Sequence, residues 1–292
     1  MKLAYLILAH TNAGQLKRLA KRLQNTNSWV FIHLDNKTPY TTDFSAIAQE
    51  VPNTSFISRR VNIRWGAYSI IQAILYALQE IVNSGIKFDY IHLMSGFDYP
   101  IKDNTHIYNF FTMNSGREFI HYRQLPIDEF YEGRMDRVWY YYDYDNIHSI
   151  SGSPHNCTYE AEMRKRGIKR NFIQELKPYH GSTWWCLTEN CIRYILDVIK
   201  GNSEIANFFR YTKFPDEQFF QTLVMNSPFA QNALSENLWY LDWSEVNASH
   251  PKTLDISDFQ ALKHTSALYA RKLDERNSLQ LFDWIDNHLL KN

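Results

Sequence analysis

Cysteine is scarce in this chain: Cys157, Cys186 and Cys191 stand alone among 292 residues, without CxxC or Cys/His spacing. An odd number so placed argues against a disulfide framework and against a zinc site. Long apolar runs are missing too. No stretch approaches the roughly 18 residues of a membrane span. The N-terminal run, about seven residues, is shorter than a secretion signal's apolar region plus cleavage site. A soluble, cytoplasmic protein is expected, at most peripheral at the inner face of a membrane. A surplus of charge is also absent, with 31 basic residues against 31 acidic. No overall field draws the chain to nucleic acid or to anionic lipid, so any phosphate site must be local.

Aromatic residues are abundant instead: 19 Tyr, 18 Phe and 8 Trp. Such rings suit a core and also sugar-binding clefts. The length exceeds the common domain size, yet large α/β folds reach it around one sheet. With no repeat, low-complexity tract or linker visible, one domain spanning 1–292 is expected.

Leu3 to Ala9 is apolar without alternation, as in a strand covered on both faces. Helical spacing follows over Ala13 to Leu23, then a strand at Trp29 to Leu34, a short strand near Thr54 to Ser58, a helix from Tyr68 to Val82, and an apolar strand at Tyr90 to Met94. This β-α-β-β-α-β order points to a mostly parallel sheet, whose ligands collect beyond the carboxyl ends of the strands. His10, Asp35 and Ser95-Gly96 fall at those ends. Phe119 to Tyr122 reads as another strand, and 128–167 as a long irregular insertion rich in Tyr, Asp, His, Gly and Ser. A strand at Thr183 to Leu187, a helix over Glu189 to Lys200, a helix from Asp216 to Met225 opened by Pro215, a strand at Leu238 to Asp242 and a helix from Ser278 to Leu290 complete the pattern.

Five segments then stand in order: Phe31-Ile-His-Leu-Asp35, Arg64-Trp-Gly-Ala-Tyr-Ser69, Leu93-Met-Ser-Gly-Phe-Asp-Tyr-Pro-Ile-Lys102, Gly181-Ser-Thr-Trp-Trp-Cys-Leu-Thr188 and Phe214-Pro-Asp-Glu-Gln-Phe-Phe220. With Asp242-Trp243 before His250-Pro251, and Tyr269-Ala-Arg-Lys272, they resemble the core-2/I-branching β-1,6-N-acetylglucosaminyltransferase family, which includes the peptide xylosyltransferases. The resemblance covers nearly the whole chain. It implies a GT-A-type α/β fold with a mixed, mostly parallel sheet flanked by helices. It also implies a nucleotide-sugar donor, inversion at the anomeric carbon and no required metal or other cofactor. The implied donor is UDP-N-acetylglucosamine or UDP-xylose, and the acceptor an oligosaccharide, polysaccharide or glycoconjugate. Lack of a membrane anchor fits a bacterial member better than an animal Golgi enzyme. On this reading 1–125 is the nucleotide-sugar half, 126–180 the insertion, and 181–292 the acceptor and catalytic half.

The resemblance places the general base at Glu217, although Pro215-Asp216-Glu217 is equally an ordinary helix start. The chemistry needs such a group, since the acceptor hydroxyl must lose a proton as it attacks. A departing diphosphate needs fixed cations or a metal. The resemblance supplies Lys272 with Arg271, and upstream Lys252, where arginine is typical and lysine lacks the bidentate fork. His10, Asp35, Arg64, Trp65, Ser95 and Gly96 are expected around the nucleotide; Asp35 followed by Asn36 is as readily a turn. Gly181, Ser182, Trp184, Trp185, Asp216 and Trp243 are expected at the acceptor, the tryptophans being equally at home in a core. Tyr122, Arg123, Glu129 and Tyr141 are weaker acceptor candidates.

Only one aspartate, Asp98, follows the third apolar strand, where metal-dependent enzymes of this fold carry two; a turn-holding role suits it. A literal Asp-x-Asp occurs at Asp143-Tyr144-Asp145, and carboxylates so spaced can hold Mg²⁺ or Mn²⁺. A metal-dependent transferase using that pair is one alternative. A carbohydrate-binding protein without turnover is another.

Overall fold

The computed structural model describes residues 1–143, 145, 158–245 and 250–290; Tyr144 and Cys157 lie outside them. In chain order the first half contains β1 (Leu3–Ala9), α1 (Ala13–Leu23), β2 (Ser28–Leu34), α2 (Thr42–Glu50), β3 (Thr54–Phe56), α3 (Ser69–Val82), β4 (Tyr90–Ser95), β5 (Asp98–Pro100), α4 (Asn104–Met113), β6 (Glu118–Ile120) and β7 (Arg123–Gln124). The second contains α5 (Asp136–Trp139), α6 (Thr158–Lys165), β8 (Tyr179–His180), β9 (Trp185–Thr188), α7 (Glu189–Gly201), α8 (Ser203–Arg210), α9 (Phe219–Met225), β10 (Ala233–Leu234), β11 (Trp239–Leu241), α10 (Phe259–His264), β12 (Tyr269–Arg271) and α11 (Glu275–His288).

The main sheet, seven strands among the described residues, runs β10-β6-β9-β4-β1-β2-β3. Only β9 opposes its neighbours, pairing antiparallel with β4 and β6, while the other pairs are parallel. The expected mixed, mostly parallel sheet flanked by helices is therefore what the chain adopts. Central β1 explains itself. Its alternate residues Leu3, Tyr5, Ile7 and Ala9 pack into one core with α1, α2 and α11, and Ala4, Leu6 and Leu8 into a second with α3, α7 and α9. Burying each of the leucine and isoleucine side chains among them contributes roughly 1.5–3 kcal/mol.

A smaller sheet, β11-β12-β5, abuts the carboxyl end of β4. Its register sets Arg271 of β12 opposite Asp98 of β5. Several elements depart from the sequence expectation, which did not name α4, α8 or α10. Helix α2 buries only Phe44 and Ile47, too weak a stripe to read. Helix α6 crosses part of the stretch expected to be irregular. The expected helix from Asp216 is two pieces: a 3₁₀ turn, Pro215–Glu217, and then α9, with Gln218 between them at φ −140°. Glu217 thus ends a separate turn rather than opening the helix. No helix among the described residues is long and apolar enough to cross a membrane.

Candidate active site

A cleft of about 920 Å³ opens beyond the carboxyl ends of β1, β2 and β4. His10, Asp35 and Ser95, each at or just past one of those strands, line it. Asp35 is buried, and its Oδ1 accepts from Lys37 N at 2.8 Å while Lys37 Nζ lies 3.5 Å from Oδ2. The turn thus holds the carboxylate at the cleft wall. Burial holds His10 below its ordinary pKa, toward the neutral ring. Trp65 lines the same space with 62% of its surface exposed and meets Phe214 edge-on at 4.7 Å.

At another wall Arg271 stacks over Trp184, its guanidinium carbon 4.4 Å from the ring centroid. Nη1 donates to Asp98 Oδ1 at 2.8 Å. Asp98 is sealed, and its other oxygen accepts from Ser95 N at 2.8 Å and Trp239 Nε1 at 3.0 Å. Burial raises this carboxyl above the usual range, opposed by Arg271 and the two N–H donors. Asp98 therefore holds its turn and also fixes a cation at the cleft.

Across the cleft, Glu217 accepts from Arg137 through Oε2, and His180 Nδ1 stands 3.8 Å from the same oxygen. Gly181 N donates to the Glu217 carbonyl at 2.8 Å. Glycine is required at 181, because a Cβ there would sit 1.8 Å from the His121 carbonyl oxygen. Asp216 Oδ2 accepts from Thr183 Oγ1 at 2.7 Å, whereas Oδ1 is sealed without a partner. Burial, aided by the Glu217 charge, pushes the Asp216 carboxyl up to about 6. Burial and then Arg137 push His180 down to about 3, so its ring is neutral near pH 7.

The family model for the Core-2/I-Branching enzyme matches residues 3–265. The chain belongs to the Core-2/I-Branching enzyme family. It is 24% identical to xylosyltransferase 2 of Rattus norvegicus over 311 aligned positions, 99% of this chain and 34% of that protein. It thus spans about a third of the length of the curated relatives it matches. Among solved structures, mouse xyloside xylosyltransferase 1 in its apo form is similar with a TM-score of 0.40 and 10% identity, covering 92% of this chain and 97% of that one. S. aureus TarS 1-349 in complex with UDP-GlcNAc is similar with a TM-score of 0.37 and 12% identity, covering 81% and 57%.

In this member of the Core-2/I-Branching enzyme family, His10, Asp35, Trp65, Ser95 and Arg271 meet Gly181, Ser182, Trp184, Asp216, Glu217 and Trp243 around one cleft. The other candidates stand off its wall. Trp185 is fully buried against Phe220, their centroids 5.0 Å apart, and belongs to the core. Lys252 Nζ holds both oxygens of Asp258, at 2.9 and 3.0 Å. Lys272 is half-buried with Nζ 4.9 Å from the Phe97 centroid, and burial lowers its pKa. Gly96 N donates to Leu8 O at 2.9 Å, and Arg64 N to Ser69 Oγ at 2.9 Å; both belong to the backbone framing the cleft. Arg123 and Glu129 pair with each other at 2.8 Å. Asp145 accepts from Ser69 N at 3.2 Å, at the start of α3, and neither it nor Asp143 is on the cleft wall. Sequence reasoning missed Arg137, His180 and Arg134. Arg137 lies in a stretch without period, and only the fold brings it to Glu217.

Proposed function

We propose that this enzyme transfers a sugar, N-acetylglucosamine or xylose, from its UDP conjugate to a carbohydrate hydroxyl with inversion and without a required metal. The observation that carries this reading is the pairing of opposite functions in one cleft. A guanidinium fixed by a sealed carboxylate, Arg271 on Asp98, faces the same space as a carboxylate fixed by a sealed guanidinium, Glu217 on Arg137.

In the proposed step the acceptor oxygen attacks the anomeric carbon from the face opposite the diphosphate. Its proton passes to Glu217 as the new C–O bond forms. The bond from the anomeric carbon to the β-phosphate oxygen breaks, and its electron pair leaves with UDP. Arg271 meets the charge that grows there, and the neutral ring of His10 adds none of its own. Lys272 and Lys252 reach a diphosphate only if their present contacts are exchanged, which makes Arg271 the leading cation. The indole face of Trp184, already covered by Arg271, belongs to the boundary between the two substrates.

Support for the metal-free reading comes from the residues themselves. Arg271, held by Asp98, stands on the cleft wall as a fixed cation for a diphosphate, and Asp145 is engaged by the backbone at the start of α3, off that wall. The test is incubation with UDP-N-acetylglucosamine and UDP-xylose against a panel of saccharides, with and without EDTA, followed by NMR of the product. The expected result is a β-linked product from an α-linked donor at a rate EDTA leaves unchanged. Retention of configuration, or loss of turnover restored by Mn²⁺, overturns the proposal.

A further inference from the structure

Among the described residues, three cationic side chains line the cleft: Lys37, Arg134 and Arg271. Two of them already face a carboxylate, Lys37 beside Asp35 and Arg271 on Asp98. Among the described residues Arg134 has no ion-pair partner, and its Nε is sealed from solvent without a hydrogen bond. Arg134 as a whole is half-buried, so its guanidinium meets the cleft with no carboxylate to neutralise it, an arrangement that an incoming anion would complete.

Its position is nevertheless fixed. Glu132, Gly133 and Arg134 form a left-handed turn with φ of 48°, 61° and 63°. Glycine is needed in the middle, where a Cβ would lie 2.6 Å from Pro126 Cβ. Arg164 clamps Glu132 through both carboxylate oxygens at 3.0 Å. The Arg134 guanidinium stacks on Phe130, 4.1 Å from the ring centroid. Sparsely populated backbone held by surrounding contacts is a feature of binding sites.

The same contacts place Arg134 on the side of the base. Phe130 meets the His180 ring at 6.4 Å, and His180 Nδ1 is 3.8 Å from Glu217 Oε2. Arg271 belongs instead to the β5–β12 wall. The neighbouring histidines do not supply competing positive charge, since burial pushes both His121 and His180 toward the neutral ring.

We propose that Arg134 docks an anionic substituent, a carboxylate or a phosphate, on a saccharide acceptor whose hydroxyl faces Glu217. This rests on the glycosyltransferase reading for the role of Glu217, while the charge preference itself does not. The planar fork of arginine matches both anions, and the exposed faces of Trp65 and Trp243 on the same cleft suit a sugar ring.

The test uses three probes differing at one carbon: 4-nitrophenyl β-glucoside, the β-glucuronide and the β-glucoside 6-phosphate. Calorimetry measures their affinity for the protein saturated with UDP, in wild type, Arg134→Ala and Arg134→Lys. One or both acidic probes are expected to bind about ten-fold tighter than the glucoside, as for a charge-assisted pair. The tighter of the two identifies the anion. That preference should vanish in Arg134→Ala and return in part in Arg134→Lys, with UDP affinity unchanged in both. Equal affinities in wild type, including no binding of any probe, overturn the inference. So does a preference that survives Arg134→Ala, or a loss of UDP affinity there with the acid preference intact, which would move Arg134 to the donor. A wild-type protein that prefers the acidic probe but binds neither UDP nor UDP-sugars defeats the functional reading and leaves the Arg134 site standing.

Discussion

The two arginine–carboxylate pairs of the cleft are built the opposite way round. In the β5–β12 pair, Arg271 keeps 17% of its side chain exposed and Asp98 keeps none. In the pair beside the 3₁₀ turn, Arg137 keeps 9% and Glu217 keeps 34%. Each sealed member supplies the charge that lets its partner stand at the edge of a dry wall, and the partner's sign sets what that wall does. On the proposed function, the first presents a cation to a leaving group and the second a base to an acceptor. A buried ion pair is weak evidence for stability, because desolvation offsets most of the attraction. Here the gain is placement.

The largest expected effect comes from breaking the sealed end of the first pair. Asp98→Ala removes the acceptor for Arg271, Ser95 N and Trp239 Nε1 together, and should cost about 3 kcal/mol in urea denaturation. Arg137→Met keeps the side-chain stem and leaves Glu217 to water, so about 1 kcal/mol is expected. Equal losses would erase the contrast. Next comes donor affinity. Arg271→Ala should weaken UDP binding roughly ten- to hundred-fold by calorimetry, the range for charged hydrogen bonds. Lys272→Ala should weaken it less, as Lys272 is off the cleft wall. The reverse order would mean that the site rearranges around the donor.

The smallest effect concerns pH. Asp216 binds its proton more tightly folded than unfolded, with a folded pKa of about 6 against an ordinary value of 3.8. This group's contribution to stability therefore falls as pH rises between about 4 and 6, and the cost is fully present above that window. Asp216→Asn keeps an acceptor for Thr183 and removes the cost. It should gain on the order of 1 kcal/mol over wild type at pH 8 and nothing at pH 3.5, read from denaturation at each pH. A gain independent of pH would show that burial of the charge is not its cause.

The wall formed by β1, β2 and β4 was legible because it hangs on regular strands. An unbroken apolar run such as Leu3–Ala9 specifies a central parallel strand, and a residue just past it, such as His10, must then fall at the ligand-binding edge. The tryptophan pair was half legible. Trp185 enters β9 and turns into the core, while Trp184 precedes the strand and faces Arg271, a distinction that needs the register. Arg137 and Arg134 were not legible at all. Arg134 rests on a left-handed turn that no residue pattern announces, and Arg137, in the four-residue α5, meets Glu217 across 80 positions. Lys252, a cation in a fitting motif, is held by Asp258 six residues on, a contact that the motif alone does not reveal.

Glu217→Gln tests the central claim most directly, measured as transfer rate at saturating substrates beside UDP affinity. The substitution keeps the shape and an oxygen for Arg137 but cannot take up the acceptor's proton. Turnover should fall at least about 100-fold, within the range for positioned acid–base groups, while UDP affinity stays near wild type. Near-normal turnover in this variant, with chemistry shown to be rate-limiting, would contradict the account.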